Sequence, residues 1–185
     1  MKRLFQNFLR DTSAAVSFET VIIFPILTWA WVGTFAFFDA YRVYNTSIKA
    51  TFTIADLISR QTSTVYGYDI EGMARMLDAM IRDTNGVEMR VTQILRNTDG
   101  DYVVDWSHAT GTRAELFTAS LTGLADRLPD MASGERVVLV ESFVDYDPAF
   151  NVGLNDLTFD NFTLTRPRYA GQVPYDEEMT PPSTS

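Results

Sequence analysis

One uncharged stretch constrains this chain more than any other feature. The nineteen residues from Thr20 to Phe38 carry no charge, and Glu19 and Asp39 bound them on either side. At a rise of about 1.5 Å per residue, a helix of this length covers about 28 Å, close to the roughly 30 Å hydrocarbon core of a bilayer. The stretch therefore predicts a single membrane-spanning helix. An acid at the edge of such a span is costly and generally has a function, which makes Glu19 a candidate functional residue.

The charges on the two sides of the stretch differ. Residues 1–13 carry three basic side chains and one acidic one, whereas residues 39–185 carry 12 basic and 22 acidic ones. Positive charge favours the cytoplasmic side, so we expect a cytoplasmic basic head at 1–13 and a periplasmic C-terminal domain, with the bacterial inner membrane between them. The acidic domain argues against a nucleic-acid partner, because phosphates would be repelled. The absence of cysteine excludes disulfides and thiolate metal sites.

The apolar helix is expected to continue beyond Asp39. Side chains recur there at three- and four-residue spacing, which predicts one buried stripe: Tyr41, Tyr44, Ile48, Phe52, Ala55 and Ile58. We therefore expect one helix from about residue 13 to about residue 60. Residues 14–40 would form its transmembrane part, and residues 41–60 would pack on the soluble domain. Pro25 lies inside the transmembrane part and predicts a kink.

The rest of the chain predicts an α+β fold. We expect a long N-terminal transmembrane helix that continues into a periplasmic domain, residues 41–170, with a small, mostly antiparallel sheet and two further helices. The predicted helices are 68–82 and 113–128, and the predicted strands are 87–96, 102–106, 135–146 and one within 156–169. The polar, proline-containing residues 171–185 predict a disordered tail.

No pattern indicates catalysis or a bound cofactor. His108 is the only histidine, so a histidine-rich metal site is excluded, and we interpret it as a hairpin or loop residue. Asn97, Asp99 and Asp101 alternate like the start of a calcium loop, but the required Gly and the final Glu are missing, so a turn is favoured. We find no phosphate loop and no nucleophile elbow. We expect neither an enzyme nor a metal or cofactor.

The residues around the start of the span carry the most specific pattern. A basic head is followed by the small residues Ala14 and Ala15, by Glu19 and by a membrane helix that contains Pro25. This arrangement resembles a type IV prepilin N-terminus. Over roughly residues 10–60 the chain resembles the TadE/TadG-like family of tight-adherence (Flp) pilus assembly proteins.

The resemblance implies a function and a processing site. A prepilin peptidase would cut between Ala14 and Ala15 and leave Glu19 at the fifth position of the mature chain. The carboxylate could then pair with the new α-amino group of its own or a neighbouring subunit. The chain would act as a pseudopilin or minor pilin through helix packing and contacts with other pilus-assembly subunits. The chain departs from the usual pattern at Ala14, where Gly is customary, and at Thr20, where an aromatic residue usually follows the acid.

Two alternatives remain open at this point. The N-terminus could be an uncleaved signal anchor, with Glu19 lying in the lipid headgroup region. The alternative for the soluble part is a signal-anchored periplasmic domain of another secretion or sensing system.

Overall fold

The structure is a computed structural model that describes residues 12–81, 86–150 and 152–179, with the backbone alone for residues 12–18. The helices are α1 (Thr12–Ser59) and α2 (Gly67–Ile81), and short 3-10 turns cover Thr118–Gly123 and Ala125–Arg127. The strands are β1 (Val65–Tyr66), β2 (Val87–Arg96), β3 (Tyr102–Ala109), β4 (Arg136–Tyr146), β5 (Leu157–Thr165) and β6 (Tyr175–Asp176).

The long helix predicted from the apolar stretch is confirmed. α1 is 48 residues long, and Pro25 lies inside it. Between Glu19 and Ser59 it is long and apolar enough to cross a membrane, judged by length and composition. No other helix in the described part of the chain passes this test.

The sheet is antiparallel, as predicted, and has the strand order β3-β2-β4-β5. β2 and β3 form the predicted hairpin around the turn that begins at Asn97. There the Asp101 amide N–H donates to the Asn97 side-chain oxygen at 2.8 Å. Gly100 adopts a φ of +91°, a left-handed conformation that glycine reaches without strain. The turn interpretation of this acidic segment is therefore confirmed.

The described residues fall into two compact units. One unit contains the apolar part of α1, up to Tyr41, together with the loop Pro148–Asn155 between β4 and β5. The other contains the remainder of α1, from Arg42 onward, with α2 and the sheet.

Residues 41–59 of α1, the α1 extension, bury a different face from the predicted stripe. Tyr41, Tyr44 and Phe52 are exposed, and only Ala55 and Ile58 of the predicted set are fully buried. The residues that are buried instead are mostly small: Val43, Ser47, Ala50, Thr51 and Ile54. Hydroxyls of this helix hydrogen-bond directly to the sheet, and such contacts favour the short side chains of Ser47 and Thr51 on this face. The Phe52 ring turns outward, whereas the Tyr44 ring contacts Phe159 of β5.

The opposite face of the sheet is covered by the segment that was predicted as a third α-helix, residues 113–128. This prediction was wrong in backbone conformation, because the segment forms only the two 3-10 turns. Threonine, serine and glycine disfavour a helix interior here, and the Thr118 hydroxyl oxygen accepts a hydrogen bond from the Val104 amide at 3.1 Å. The apolar pattern nevertheless has its expected role. The buried cluster contains Ile94, Leu116, Leu121, Leu128, Met131, Val137 and Leu139.

The predicted disordered tail is wrong for residues 171–179. Val173 is fully buried, and β6 pairs in parallel with β1 through Val65 and Tyr175. The reason lies in the side chains, since this polar segment contains a valine and a tyrosine that fill sites on the folded domain. Residues 180–185, the rest of the predicted tail, lie outside the described residues.

Candidate functional site

The apolar part of α1 exposes large side chains around its circumference. Trp31 and Phe38 are each 70% exposed. Other large apolar side chains of this part are also exposed: Val21, Phe24, Ile26, Leu27, Trp29, Phe35 and Phe37. A contiguous apolar surface of this kind is rare on a protein surrounded by water. It is the surface expected of a helix that faces lipid or other helices.

Two threonine hydroxyls of this part are satisfied within the helix. The Thr28 hydroxyl donates to the Phe24 carbonyl oxygen, and the Thr34 hydroxyl donates to the Ala30 carbonyl oxygen, each at 2.8 Å. In hydrocarbon every hydrogen-bonding group needs an internal partner, because no water is present to supply one. Both threonines therefore suit an apolar environment despite their hydroxyl groups.

The site residues predicted from the sequence all lie on α1. Glu19 is exposed and directly precedes the uncharged stretch of α1. Pro25 lies one to two turns further along the same helix. Ala14 and Ala15 lie near its beginning, within the residues whose side chains are not described. Glu19 and Pro25 thus share one exposed helical segment.

A buried polar network joins the α1 extension to the sheet. Thr51 lies 2.6 Å from the Ser142 hydroxyl on β4, and the Asn161 side-chain amide on β5 donates to Ser47 and Ser142 at 3.0 Å each. Because the single Thr51 proton donates to the Ser47 carbonyl at 2.7 Å, the Ser142 hydroxyl must donate to Thr51. The Ser47 hydroxyl donates in turn to the Tyr44 carbonyl at 2.7 Å.

The network gives every one of its hydroxyl protons an acceptor. Asn161 supplies two protons and so starts two branches that both end on α1 backbone carbonyls. A fully satisfied buried network favours one alignment of a helix on a sheet, because any shift would leave a polar group unpaired. Sequence reasoning missed this network. Hydroxyl residues four apart at Ser47 and Thr51, in an otherwise apolar pattern, were the available signal.

The outer face of the same extension is partly aromatic. Phe52 is 57% exposed, and Lys49 and Thr53 are exposed beside it. Tyr44, by contrast, contacts the sheet, with its ring centroid 5.5 Å from that of Phe159 on β5. This face combines apolar rings with polar side chains, which is typical of helical surfaces that contact other proteins.

The C-terminal segment is held by a cluster around Trp106. Its indole N–H donates to the Val173 carbonyl at 3.0 Å, and its ring stacks on Tyr175 with a centroid distance of 4.6 Å. The Gln93 side-chain oxygen accepts from the Val173 amide at 2.7 Å. Burial, followed by the negative charges of nearby acids, raises the pKa of Tyr175 to about 12.

His108 belongs to this cluster rather than to a loop. It lies near the end of β3, with its Nδ1 2.8 Å from the Tyr175 hydroxyl. Its Nε2 lies 3.8 Å from a Glu71 carboxylate oxygen. His108 is therefore a residue of the β2–β3 hairpin, as the sequence indicated, and its neighbours give it a packing role.

The remaining surface offers little chemistry. A concavity of about 370 Å³ beside α2 is lined by Gln61, Ser63, Thr64, Val65, Tyr68, Asp69, Gly72, Met73 and Met76. The Asp69 carboxylate in it accepts from the Tyr66 amide at 3.0 Å, which is a local structural role. Among the described residues no three His, Asp or Glu side chains are grouped so as to hold a metal ion. Comparisons with protein-family models, with curated proteins and with solved structures gave no match.

Proposed function

We propose that this chain is a single-pass inner-membrane component of a tight-adherence (Flp) pilus assembly system, of the TadE/TadG-like type. Its basic head lies in the cytoplasm and its C-terminal domain in the periplasm. It acts as a pseudopilin or minor pilin, through packing of α1 and through contacts between its domain and other subunits. No reaction is assigned to it.

The observation that carries this proposal is the composition of α1. A 19-residue uncharged stretch with exposed side chains continues, without a break in the helix, into the segment that packs on an α+β domain. Helical subunits of this kind associate laterally in the membrane by side-chain packing, since lipid offers no hydrophobic driving force. The basic head and acidic domain favour the stated orientation.

Glu19 has a specific role in this proposal. A carboxylate at the rim of the hydrocarbon region is stabilised by a nearby positive charge. Cleavage between Ala14 and Ala15 by a prepilin peptidase would create such a charge as a new α-amino group. Pairing with this group on a neighbouring subunit would set the axial position of one helix relative to the next.

The orientation is tested with a reporter that is active only in the periplasm. Alkaline phosphatase fused after Ser185 should be active and should remain with the membrane fraction. An inactive fusion would refute the orientation, and release of the chain from membranes by carbonate would refute the anchor.

The assembly role is tested at Glu19. Glu19→Ala should reduce the number of pili without unfolding the soluble domain, whereas Glu19→Asp, which keeps the charge, should restore them. Normal piliation of Glu19→Ala would count against the role. Mass determination of the mature chain tests the cleavage, which should remove residues 1–14. A chain that starts at Met1 in cells with active peptidase, together with normal piliation, would favour the signal-anchored domain of another system.

A further inference from the structure

The loop between β4 and β5 lies against the apolar part of α1. A Cβ atom placed on Gly33 would lie 4.0 Å from the Val152 Cβ, an ordinary van der Waals contact. Ala36 and Ala40, which follow Gly33 at helical spacing, are buried. The loop and this part of the helix belong to the same compact unit.

This contact lies within the uncharged stretch. Gly33 precedes Asp39, the first charged residue after the stretch, by six positions. At about 1.5 Å per residue this corresponds to about 9 Å along the helix axis. Segments that lie in the membrane interface place their apolar side chains about 5–10 Å into the boundary between headgroups and acyl chains.

The loop has the composition of an interfacial segment. Residues 148–155 (PAFNVGLN) contain no charge, whereas Asp147 and Asp156 flank them. Phe150 is 49% exposed, although it is the largest apolar side chain of the loop. An exposed ring on an uncharged loop, with carboxylates only at its base, suits partial insertion into lipid.

We propose that the β4–β5 loop is a second membrane-contacting element, which places Phe150 in the phospholipid interface beside α1. The inference rests on the proposed function only in that α1 must span the membrane. The contact is apolar rather than electrostatic, because the flanking aspartates would be repelled by anionic headgroups. The occupant is therefore the interface of zwitterionic phospholipid.

The test uses single cysteines in the full-length chain, which has none of its own. An environment-sensitive fluorophore is attached at Phe150→Cys, and the protein is reconstituted into phosphatidylcholine vesicles with nitroxide-labelled lipid. Phe117→Cys is the matched control, because Phe117 is a 65% exposed phenylalanine of the other unit. Phe35→Cys reports on α1 itself.

We expect the lipid nitroxide to quench the label at residue 150 at least about twofold more strongly than the label at residue 117. A label at Ala149→Cys should be quenched as strongly as the label at Phe150→Cys. Because this variant keeps Phe150, it controls for the loss of the phenylalanine ring. Replacing part of the phosphatidylcholine by anionic phosphatidylglycerol should not increase the quenching.

The outcomes separate the two proposals. Quenching at residue 35 together with equal quenching at 150 and 117 would overturn the loop proposal and leave the anchor intact. A blue-shifted label at 150 that lipid nitroxides do not quench would also overturn it, in favour of a protein partner. A label at residue 35 without quenching would overturn the anchor and the loop proposal together.

Discussion

The polar network between the α1 extension and the sheet allows a quantitative test. Ser142→Ala removes the acceptor of one Asn161 proton and the donor to Thr51. A buried hydrogen bond contributes about 1 kcal/mol net, and a buried donor left unpaired costs about 1–3 kcal/mol. Asn161 is buried and its amide proton would have no other partner in the network. We therefore expect Ser142→Ala to lower the free energy of unfolding by about 2–3 kcal/mol.

For each hydrogen bond removed, Asn161→Ala should lower the free energy of unfolding by less than Ser142→Ala does. It removes two donated protons, but the Ser47 and Ser142 hydroxyls keep the acceptors to which they themselves donate. In the Ser142→Ala background, Asn161→Ala also removes the unpaired amide proton. The double variant should consequently be more stable than the sum of the two single effects predicts, by about 1 kcal/mol.

The measurement is urea unfolding of the full-length protein in mild detergent. Trp29 and Trp31 are replaced by Phe, so that the fluorescence reports on Trp106, whose ring stacks on Tyr175. Thr158→Ala is the control, since it breaks an exposed hydrogen bond to Asp145 on the same strand pair and should cost less than about 0.5 kcal/mol. Effects of Ser142→Ala and Asn161→Ala that add within about 0.3 kcal/mol would refute the directed network.

Two further predictions concern other parts of the domain. Val173→Asp should lower the free energy of unfolding by about 2–4 kcal/mol, because it places a charge at a fully buried position, whereas Gln172→Asp beside it, at an exposed position, should have little effect. Urea unfolding measures both, and equal midpoints would contradict the buried C-terminal segment. Glu88 should stabilise the fold in a pH-dependent way, because hydrogen bonds from the Thr112 amide and hydroxyl and from Arg113 hold its pKa below the ordinary value of 4.5. Because this pKa is lower in the folded state, the ionised carboxylate stabilises the fold above pH 4.5. This stabilisation is lost as the pH falls below 4.5, where the carboxylate becomes protonated. The difference in free energy of unfolding between wild type and Glu88→Gln, about 1 kcal/mol at neutral pH, should shrink on acidification, and a constant difference would refute the argument.

The elements with strong local signals could be predicted from the sequence. The hairpin of β2 and β3 has branched and aromatic residues in both strands. Asn97 and Gly100 determine the conformation of the turn between them. The C-terminal end of α1, at Ser59, was predicted to within about one residue, because no glycine or proline interrupts the helix after Gly33. In both cases neighbouring residues determine the conformation.

The elements that depend on distant contacts could not be predicted. Residues 171–179 are polar and have no periodicity, and their order depends on the Trp106 and Gln93 side chains, more than 60 residues away in the chain. Likewise, the leucines of residues 113–128 indicate burial but do not determine the backbone, because a 3-10 turn and an α-helix can both direct them inward. Hydrophobic spacing alone therefore overstated the helix.

The most informative error concerns which face of the α1 extension is buried. Hydrophobicity ranks Tyr41 and Phe52 as core residues, yet the sheet accepts Ser47, Ala50 and Thr51 instead. The deciding factor is hydrogen bonding, because the hydroxyls of Ser47 and Thr51 contact polar side chains of the sheet and favour short side chains over rings at these positions. Phe52 is thus displaced to the outer face, where its ring is 57% exposed, whereas the Tyr44 ring contacts Phe159 of β5. If the outer face contributes to assembly, Phe52→Ser should reduce pilus number while leaving the urea midpoint unchanged, and a lowered midpoint would instead assign Phe52 to the stability of the domain.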